Sequence, residues 1–436
     1  MALLDLMPVA AAPRPDSRLT ALPVAIIGAG PIGLAAAAHL AERDIPFVIY
    51  ERGHVPGAAI REWGHTRLFS PWQHLVDDAA ARLLADKGWQ APPAGRAPAG
   101  AEIVSAYLEP LAAHDAIAPA VRWGVEVLAV TREGMDRTRT RGRSQAPFAL
   151  RLRLSDGTVV DETARAVVDA SGTWGNANPL GSGGLDPLGW DEVSDRVLRA
   201  LPDVRERDRA RLAGRHVTVV GAGHSAANTL IDLAALQDDE PGTRVTWLIR
   251  NPSAARLSSG DDELEGRGAL GSRVERLVAD GRIEVVDRFE ILRVEAHGDG
   301  VRLHGRRGDD AAAHDTDLVV AATGFRPQLD MLRELRLELD DIVEAPRRLA
   351  PLIDPNMHSC GTVSPHGYRE LAHPESGFFI VGMKSYGRAP TFLLKTGYEQ
   401  VRSVVAWLAG DAESAGRVEL VLPATGVCST SAGGCC

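Results

Sequence analysis

Hydrophobic positions follow a regular pattern near the start of the chain. The apolar run Val24–Ile27 leads into a glycine-rich turn, then into the alanine-rich stretch Leu34–Glu42, and then into a second apolar run, Phe47–Tyr50. Short apolar runs bounded by glycine are typical of buried strands, and the longer stretch between them is typical of a helix. The pattern predicts a strand–turn–helix–strand unit.

The turn of this unit has the spacing G-x-G-x-x-G at Gly28, Gly30 and Gly33. Gly28 permits the tight turn, Gly30 lets a pyrophosphate approach the backbone, and Gly33 lets the helix pack closely on the strand. Glu51 follows Gly33 by eighteen residues, the spacing at which an acidic side chain meets the ribose of an adenine dinucleotide. The alternative is a βαβ unit that packs well and binds nothing.

The same pattern recurs later in the chain. The run His216–Val220 leads into a G-x-G-x-x-A turn at Gly221, Gly223 and Ala226, followed by a predicted helix and a second apolar run that ends at Arg250. An arginine at this position suits a ribose 2′-phosphate, whereas a carboxylate suits a free 2′-hydroxyl. A surface arginine is the alternative. Because the first unit has a carboxylate at the ribose position and the second has an arginine there, the sequence predicts two different cofactors, FAD at the first turn and NADPH at the second.

Other apolar runs indicate how the two units are connected. The runs Val125–Val130, Phe148–Leu154 and Val159–Val160 predict a small antiparallel sheet. One later strand ends near Thr173 and another at Thr323 and Gly324, each in small residues that let the chain cross between nucleotide domains.

The C-terminal third returns to the first unit. Gly377–Gly382 predicts another buried strand and Thr391–Leu408 a long helix, whose N-terminus is placed to point its N–H groups at a flavin. The predicted fold is α/β, with two Rossmann-like dinucleotide-binding domains, the NADPH domain being inserted into the FAD domain. The predicted divisions are a flexible N-terminal arm (1–21), the first segment of the FAD domain (22–180), linker and NADPH domain (181–325), the second segment of the FAD domain (326–422) and a flexible cysteine-bearing tail (423–436).

Composition narrows the possible partners. The 436 residues are 45% hydrophobic and 24% charged, with a net charge of −10, which argues against nucleic acid as a partner. No apolar stretch reaches the length of a membrane span, and the N-terminus lacks the basic start of a signal peptide. Four cysteines predict a reducing, cytoplasmic location. The basic run Arg137–Arg143 is interpreted as a solvated hairpin.

One loop, Gly57–Trp72, carries Trp63, His65, Arg67 and Trp72. Exposed loops seldom hold so much aromatic surface unless they cover something. A flavin ring and the protein core are the two candidates for what this loop covers.

These motifs together resemble the flavoproteins with two dinucleotide-binding domains, nearest to the NADPH-dependent flavin monooxygenases. The resemblance rests on the two glycine turns, the Ala-Thr-Gly segment and the sequence from Val219 to Ala226, and it extends from Leu22 to Leu422. Gly57–Trp72 and His358–Arg402 further resemble a bacterial group often associated with arsenic-resistance genes. The resemblance implies FAD, NADPH, molecular oxygen and a small-molecule substrate, and it is compatible with a homodimer.

The resemblance also implies a set of site residues. Cofactor contacts are expected from Gly28, Gly30, Pro31, Gly33, Glu51, Arg52, Trp63, Arg67, Val127, Gly221, Gly223, His224, Ser225, Ala226, Arg250, Thr323, Gly324, Gly382, Thr391 and Phe392. Catalytic candidates are Arg67, Cys360, Lys384, Arg388 and Lys395. The four cationic side chains would stabilise negative charge on the flavin, with surface ion pairing as the alternative for each.

Two departures from related families bear on the reaction. The F-x-G-x-x-x-H fingerprint of flavin monooxygenases is missing, since no histidine lies between Trp174 and Arg215. The C-x-x-C or C-x-x-x-x-C pair that disulfide reductases use beside the flavin is missing as well.

The tail concentrates the cysteines. Cys428, Cys435 and Cys436 fall in the last nine residues, among Ser, Thr, Ala and Gly. Thiolates prefer soft acceptors, so this tail is a candidate for binding a trivalent metalloid and passing it to Cys360. A disordered tail without a specific role is the alternative.

Three functions therefore stand open. The first is a monooxygenase that oxidises a soft substrate such as a trivalent arsenical or antimonite. The second is a flavoprotein reductase of a thiol-bound metal, metalloid or disulfide. The third is a non-catalytic metalloid-binding flavoprotein.

Overall fold

Two parallel sheets, each built around a glycine turn, organise the chain. The computed structural model describes residues 17–252, 265–354, 365–389 and 392–420. The N-terminal third of the chain contains α1 (Ser17–Thr20), β1 (Val24–Ile27), α2 (Pro31–Ala41), β2 (Phe47–Glu51), α3 (Ala58–Glu62), α4 (Asp78–Ala85), α5 (Gly100–Ile103), α6 (Glu109–Ala112), β3 (Val121–Trp123), β4 (Glu126–Arg132), β5 (Phe148–Arg153), β6 (Val159–Ala164) and β7 (Ala166–Asp169).

The remaining elements form the second sheet and then return to the first. The middle of the chain contains β8 (Val197–Arg199), α7 (Arg209–Leu212), β9 (His216–Val220), α8 (His224–Asp239), β10 (Arg244–Leu248), α9 (Glu265–Ala279), β11 (Glu284–Val286), β12 (Phe289–His297), β13 (Gly300–Arg307), β14 (Asp310–Thr316) and β15 (Leu318–Ala321). The C-terminal region contains α10 (Ala350–Ile353), α11 (Tyr368–Leu371), β16 (Phe378–Ile380), α12 (Leu394–Leu408) and α13 (Ala412–Gly416). Shorter 3₁₀ turns include Trp72–His74, Arg143–Gln145 and Gly382–Tyr386, and Val104–Leu108 is a π turn.

The first sheet has the strand order β16-β7-β1-β2-β3, and its strands are parallel. The second has the order β11-β10-β9-β15-β8, also parallel. Each sheet is accompanied by an antiparallel meander, β4-β5-β6 in the first case and β12-β13-β14 in the second. Because β16 joins the first sheet after the chain has completed the second, the second domain is inserted into the first. The predicted fold class and the predicted antiparallel sheet are thus confirmed.

Helix α2 lies at the centre of the first domain. Its residues from Ile32 to Leu40 are all buried, as expected of a helix that is apolar on every side. One face packs on the sheet, while Gly397 of α12 lies against Ile32 on another. This packing brings the N-terminal turns of α2 and α12 together at one edge of the sheet.

Some expectations about local structure need correction. Helix α2 begins at Pro31, before the predicted start at Leu34, and the edge strand β8 has no counterpart among the predicted strands. Arg143 is 5% exposed and not solvated, although the rest of its basic run is largely exposed. Within the segment predicted as an arm, α1 carries a buried Leu19. No helix in the described ranges is both long enough and apolar enough to cross a membrane.

Candidate functional site

The first glycine turn has the backbone that its spacing predicts. Gly28 has φ +101°, and a Cβ added there would lie 2.9 Å from the Ala170 carbonyl oxygen. A Cβ on Gly33 would overlap the Gly28 carbonyl oxygen, whereas a Cβ on Gly30 would meet nothing within 4 Å. Two glycines are therefore needed by the protein's own packing, and the middle one faces open space.

The open space lies at the start of α2. Gly30 is the N-cap of this helix, no side chain caps it, and Pro31 occupies its first turn. Uncapped N–H groups and the positive end of the helix dipole form a site for phosphate. The open side of Gly30 and the uncapped helix end thus fit the pyrophosphate of a dinucleotide.

Glu51 ends β2 beside this turn. Its Oε2 accepts a hydrogen bond from the Ala29 N–H at 2.7 Å, and its Oε1 accepts one from the Gly53 N–H at 2.7 Å. The carboxylate therefore ties the turn to the end of β2, and the predicted ribose contact of Glu51 stays a prediction. Arg52 lies next to Gly175 on the crossover to the second domain.

The turn after β16 approaches the same helix end. A Cβ on Gly382 would lie 3.0 Å from Ile32, the residue after Pro31, and Gly397 of α12 contacts the same side chain. The Gly382 N–H donates to the Gln400 side chain at 2.7 Å inside the core. Phe392 precedes α12, where its ring packs edge-on against Tyr386 at 5.0 Å. Gly382 and Phe392 thus lie near the start of α2, as a shared cofactor site requires.

Lys384 is buried in an ion pair that the sequence reasoning did not foresee. Its Nζ donates to Asp169 Oδ2 at 2.7 Å and to Ser171 Oγ at 3.1 Å, and both charged side chains are 0% exposed. Asp169 Oδ1 accepts the Ser171 hydroxyl at 2.6 Å and the Ser171 N–H at 3.1 Å. The available signal was an aspartate closing the otherwise apolar strand β7.

The other cationic candidates lie nearer the surface with separate partners. Arg67 donates to the Ala97 carbonyl at 2.7 Å, and Arg388 donates to Glu344 at 2.6 Å. Lys395 stands 3.8 Å from Asp78. Exposed pairs of this kind contribute little to stability, and the catalytic roles predicted for these three side chains stay predictions.

His74 was not among the predicted site residues and lies near one of them, Lys395. Burial, and after it the charge of Lys395, lower the pKa of this histidine below its ordinary value. His74 lies in a 3₁₀ turn just after the aromatic loop. A neutral imidazole therefore stands close to the start of α12.

The aromatic loop divides between the core and the second domain. Trp72 is 1% exposed and belongs to the core, while Trp63 packs on Trp174 at 6.3 Å between ring centres. Phe69 contacts the ring of His224 at the start of α8, with 5.4 Å between ring centres. Core packing is therefore one role of this loop, and Phe69 links it to the second glycine turn.

The second glycine turn repeats the first in its backbone. Gly221 has φ +127°, and a Cβ there would overlap the Ala322 carbonyl oxygen, while a Cβ on Gly223 would meet nothing within 4 Å. Gly223 is the N-cap of α8, again without a side-chain cap, and Ser225 and the buried Ala226 lie in its first turn. The residues fit a second dinucleotide.

Arg250 lies just beyond β10, at the carboxyl edge of the second sheet. Its exposed guanidinium donates to the Ser182 carbonyl at 3.2 Å. The position agrees with the predicted 2′-phosphate contact in being exposed and close to the turn after β9, and the contact itself stays a prediction.

The two crossover segments bond to each other. The Thr323 hydroxyl donates to the Asn178 carbonyl at 2.8 Å, and the Asn178 N–H donates to the Gly324 carbonyl at 2.9 Å. Thr323 and Gly324 therefore fix the connection between domains.

Val127, by contrast, lies at a bulge in β4 and packs against the apolar side of the first sheet.

Five predicted site residues lie outside the described residues. They are Cys360, Thr391, Cys428, Cys435 and Cys436. The described residues contain no cysteine.

Two parallel sheets, each with a phosphate-type glycine turn at its carboxyl edge, define a protein with two dinucleotide-binding domains. The sequence matches the pyridine nucleotide-disulphide oxidoreductase family over residues 25–138 and 199–360, more than half of the chain. The chain belongs to this family of flavoprotein oxidoreductases.

Relatives and structural neighbours include both monooxygenases and reductases. The chain is 30% identical over 246 residues to the indole-3-pyruvate monooxygenase YUCCA1 of Oryza sativa subsp. japonica. The matched residues make up 55% of this chain and 50% of that relative, so the match spans about half the length of the relative. The bacillithiol disulfide reductase Bdr (YpdA) of Bacillus cereus superposes with a TM-score of 0.66 at 19% identity, covering 89% of this chain and 99% of that one. A flavin-containing monooxygenase of Stenotrophomonas maltophilia superposes with a TM-score of 0.58 at 23% identity, covering 89% and 98%. The two structural likenesses establish the fold alone.

Proposed function

We propose that the chain is an FAD- and NADPH-dependent monooxygenase that oxidises a soft small molecule such as a trivalent arsenical or antimonite. Membership of the flavoprotein oxidoreductase family and the 30% identity to a plant monooxygenase support this proposal. The observation that carries it is the pair of open glycine turns without a cysteine among the described residues. A redox dithiol within either described sheet is therefore lacking, which favours oxygen over a disulfide as electron acceptor.

The two cofactors are assigned to different turns. In the proposal, Gly30 and the start of α2 hold the FAD pyrophosphate, with Glu51 at the ribose. Gly223 and the start of α8 hold NADPH, with Arg250 at the 2′-phosphate. Bound FAD would supply the two-electron chemistry between nicotinamide and oxygen, while the protein orients both cofactors and excludes water.

The proposed substrate class comes from the tail. Cys428, Cys435 and Cys436 lie outside the described residues and are known from the sequence. Three thiolates on a segment of small polar residues suit a soft trivalent centre. We further propose a cytoplasmic location and small-molecule partners, with a homodimer as the oligomeric state to test.

Coupled oxygen consumption tests the proposed reaction. Purified holoenzyme with NADPH and arsenite, methylarsenite or antimonite is expected to consume NADPH and oxygen in equal amounts and to yield the pentavalent product. Equal turnover without oxygen, measured under nitrogen, would refute the monooxygenase. NADH in place of NADPH serves as the control for the assignment of Arg250.

A reductase is the second candidate. The adjacent thiols Cys435 and Cys436 and the fold shared with bacillithiol disulfide reductases favour it. The triple variant with Cys428, Cys435 and Cys436 changed to serine separates the two functions. A reductase that uses the tail loses turnover completely, whereas a monooxygenase that only collects substrate there keeps its maximal rate and shows a raised KM.

A further inference from the structure

The buried pair formed by Lys384 and Asp169 is costly by itself. Both side chains are 0% exposed, with Nζ and Oδ2 2.7 Å apart. Removing two charges from water is unfavourable, and apolar replacements of buried ion pairs are often neutral or stabilising. A contribution to stability therefore does not explain why this ion pair is present. Its position in the fold indicates a different role.

The pair lies at the carboxyl edge of the first sheet. Asp169 is the last residue of β7 and pairs with Ile27, the last residue of β1. Lys384 lies in the 3₁₀ turn just after β16, on the other side of β7. Ligands of open parallel sheets bind outside the carboxyl ends of the strands, so the pair stands at the edge where the cofactor is expected.

A short series of contacts links the pair to the first glycine turn. Ser171 receives the Lys384 ammonium on its hydroxyl oxygen and donates that hydroxyl to Asp169. A Cβ on Gly28 would lie 3.2 Å from the Ser171 Cα and 2.9 Å from the Ala170 oxygen. The charged pair thus fixes the segment against which the glycine turn packs.

Among the described residues, the Lys384 ammonium has acceptors for two of its three N–H donors. A lysine ammonium carries three N–H groups. Asp169 and Ser171 take two of them, and no other acceptor for the third lies among the described residues. A cationic donor in a dry site acts strongly on nearby charge, because a low dielectric screens it little.

We propose that Lys384 and Asp169 are positioning residues that hold the Ala170–Ser171 segment against the FAD turn and tune the reduction potential of bound FAD. The inference rests on the proposed binding of FAD at the first turn. Reduction adds negative charge to the cofactor, which the ammonium favours and the carboxylate opposes. The two side chains therefore act on the potential in opposite directions.

The two single variants are expected to shift the reduction potential of bound FAD in opposite directions. The potential of the holoprotein is measured by equilibration with a reference dye under nitrogen. Lys384→Met is expected to move it to a more negative value and Asp169→Asn to a more positive value. The double variant is expected to return close to the wild type. If Lys384→Met does not fold, the sign of the Asp169→Asn shift decides.

The chain offers a matched control. Glu375 forms a buried ion pair with Arg132 at 2.7 Å, but it precedes β16 and so lies at the amino edge of the same sheet. Glu375→Gln, Lys384→Met and Asp169→Asn are all expected to lower the Tm, but Glu375→Gln is expected to leave the potential unchanged. Unchanged potentials in FAD-loaded Lys384→Met and Asp169→Asn, with lowered Tm, would overturn the inference. A wild-type protein that binds no FAD would instead overturn the proposed function.

Discussion

Replacing Gly30 by alanine separates cofactor binding from folding. Gly30 has φ −83° and ψ −174°, a conformation open to alanine, and an added Cβ meets nothing within 4 Å. Alanine is a poorer N-cap than glycine by up to about 1 kcal/mol. Restricting the unfolded chain returns about 0.4–1 kcal/mol. The free energy of unfolding of the cofactor-free protein is therefore expected to change by less than about 1 kcal/mol.

Binding of FAD should respond differently. The methyl group would stand on the open side of the turn, where the pyrophosphate must approach the backbone N–H groups. A loss of about 1.4 kcal/mol corresponds to tenfold weaker binding. We expect at least this loss, measured by the quenching of FAD fluorescence on titration into deflavinated protein.

Gly28→Ala is the control, because its predicted defect is in the protein itself. The backbone at φ +101° costs a side-chain residue about 1–2 kcal/mol. The approach of 2.9 Å to the Ala170 oxygen adds about 1–3 kcal/mol of overpacking. Urea unfolding should show Gly28→Ala as clearly destabilised and Gly30→Ala as near the wild type. Wild-type FAD affinity in Gly30→Ala would refute the assignment of this turn.

The second turn provides the matching test. Gly223 has φ −92° and ψ −178°, and its added Cβ again meets nothing within 4 Å. Gly223→Ala is expected to keep the bound flavin, visible in the absorption spectrum, and to bind NADP⁺ at least tenfold more weakly by calorimetry. Loss of flavin from this variant instead would reverse the assignment of the two turns.

Three further outcomes follow from the structure. In steady-state kinetics, Arg250→Ala is expected to raise the KM for NADPH at least tenfold and to leave the KM for NADH unchanged. Equal increases of both KM values would refute the proposed contact between Arg250 and the 2′-phosphate. Glu375→Gln is expected to lower the free energy of urea unfolding by about 3–5 kcal/mol, because Arg132 and Arg143 stay buried without their partner; a loss below about 1 kcal/mol would contradict this. Although burial opposes its ionisation, hydrogen bonds from Arg143 and Arg132 hold the pKa of Glu375 below 4.5, so its contribution is complete above pH 4.5 and lost on further acidification. Burial lowers the pKa of His373 from 6.5 to about 4, so its contribution to the free energy of unfolding is complete above pH 6.5 and lost towards pH 4. His373→Asn should therefore make the free energy of urea unfolding depend less steeply on pH between pH 6.5 and pH 4. An unchanged dependence on pH would contradict this role of His373.

Local rules account for what the sequence predicted well. The roles of Gly28 and Gly33 depend on backbone geometry within a few residues, and the structure reproduces them. Apolar runs located the central strands for the same reason, because a strand buried on both faces must be apolar throughout. The short edge strand β8 was not predicted because it has only three residues, of which only Leu198 is buried.

The partners of the buried charged side chains could not be predicted from nearby residues in the sequence. Lys384 meets Asp169 across 215 positions of sequence, and Arg132 meets Glu375 across 243. The topology of the sheet, which brings β16 beside β7, sets both pairings. Arg143 was expected in solvent because it belongs to the basic run Arg137–Arg143, yet it donates to the same Glu375. A single sequence gives no signal for contacts of this range.

The difference between the two turns follows from what covers their helices. In the first turn a Cβ on the third glycine, Gly33, would overlap the Gly28 oxygen, whereas the second turn accommodates Ala226 at the same position. Helix α2 is buried from Ile32 to Leu40, and Ile32 packs against Gly382 and Gly397, so the helix has no room to move away from β1. Helix α8 alternates buried and half-buried residues along its length, and its packing leaves room for the buried Ala226 side chain. At its third glycine the first turn is therefore held close to its strand by α12, whose first turn reaches the same edge of the sheet as Lys384. This arrangement gives the first site a second helix N-terminus and a buried ammonium, which suits a cofactor that stays bound and gains negative charge on reduction. The second site has one uncapped helix end and an exposed arginine, which suits a cofactor that binds and leaves.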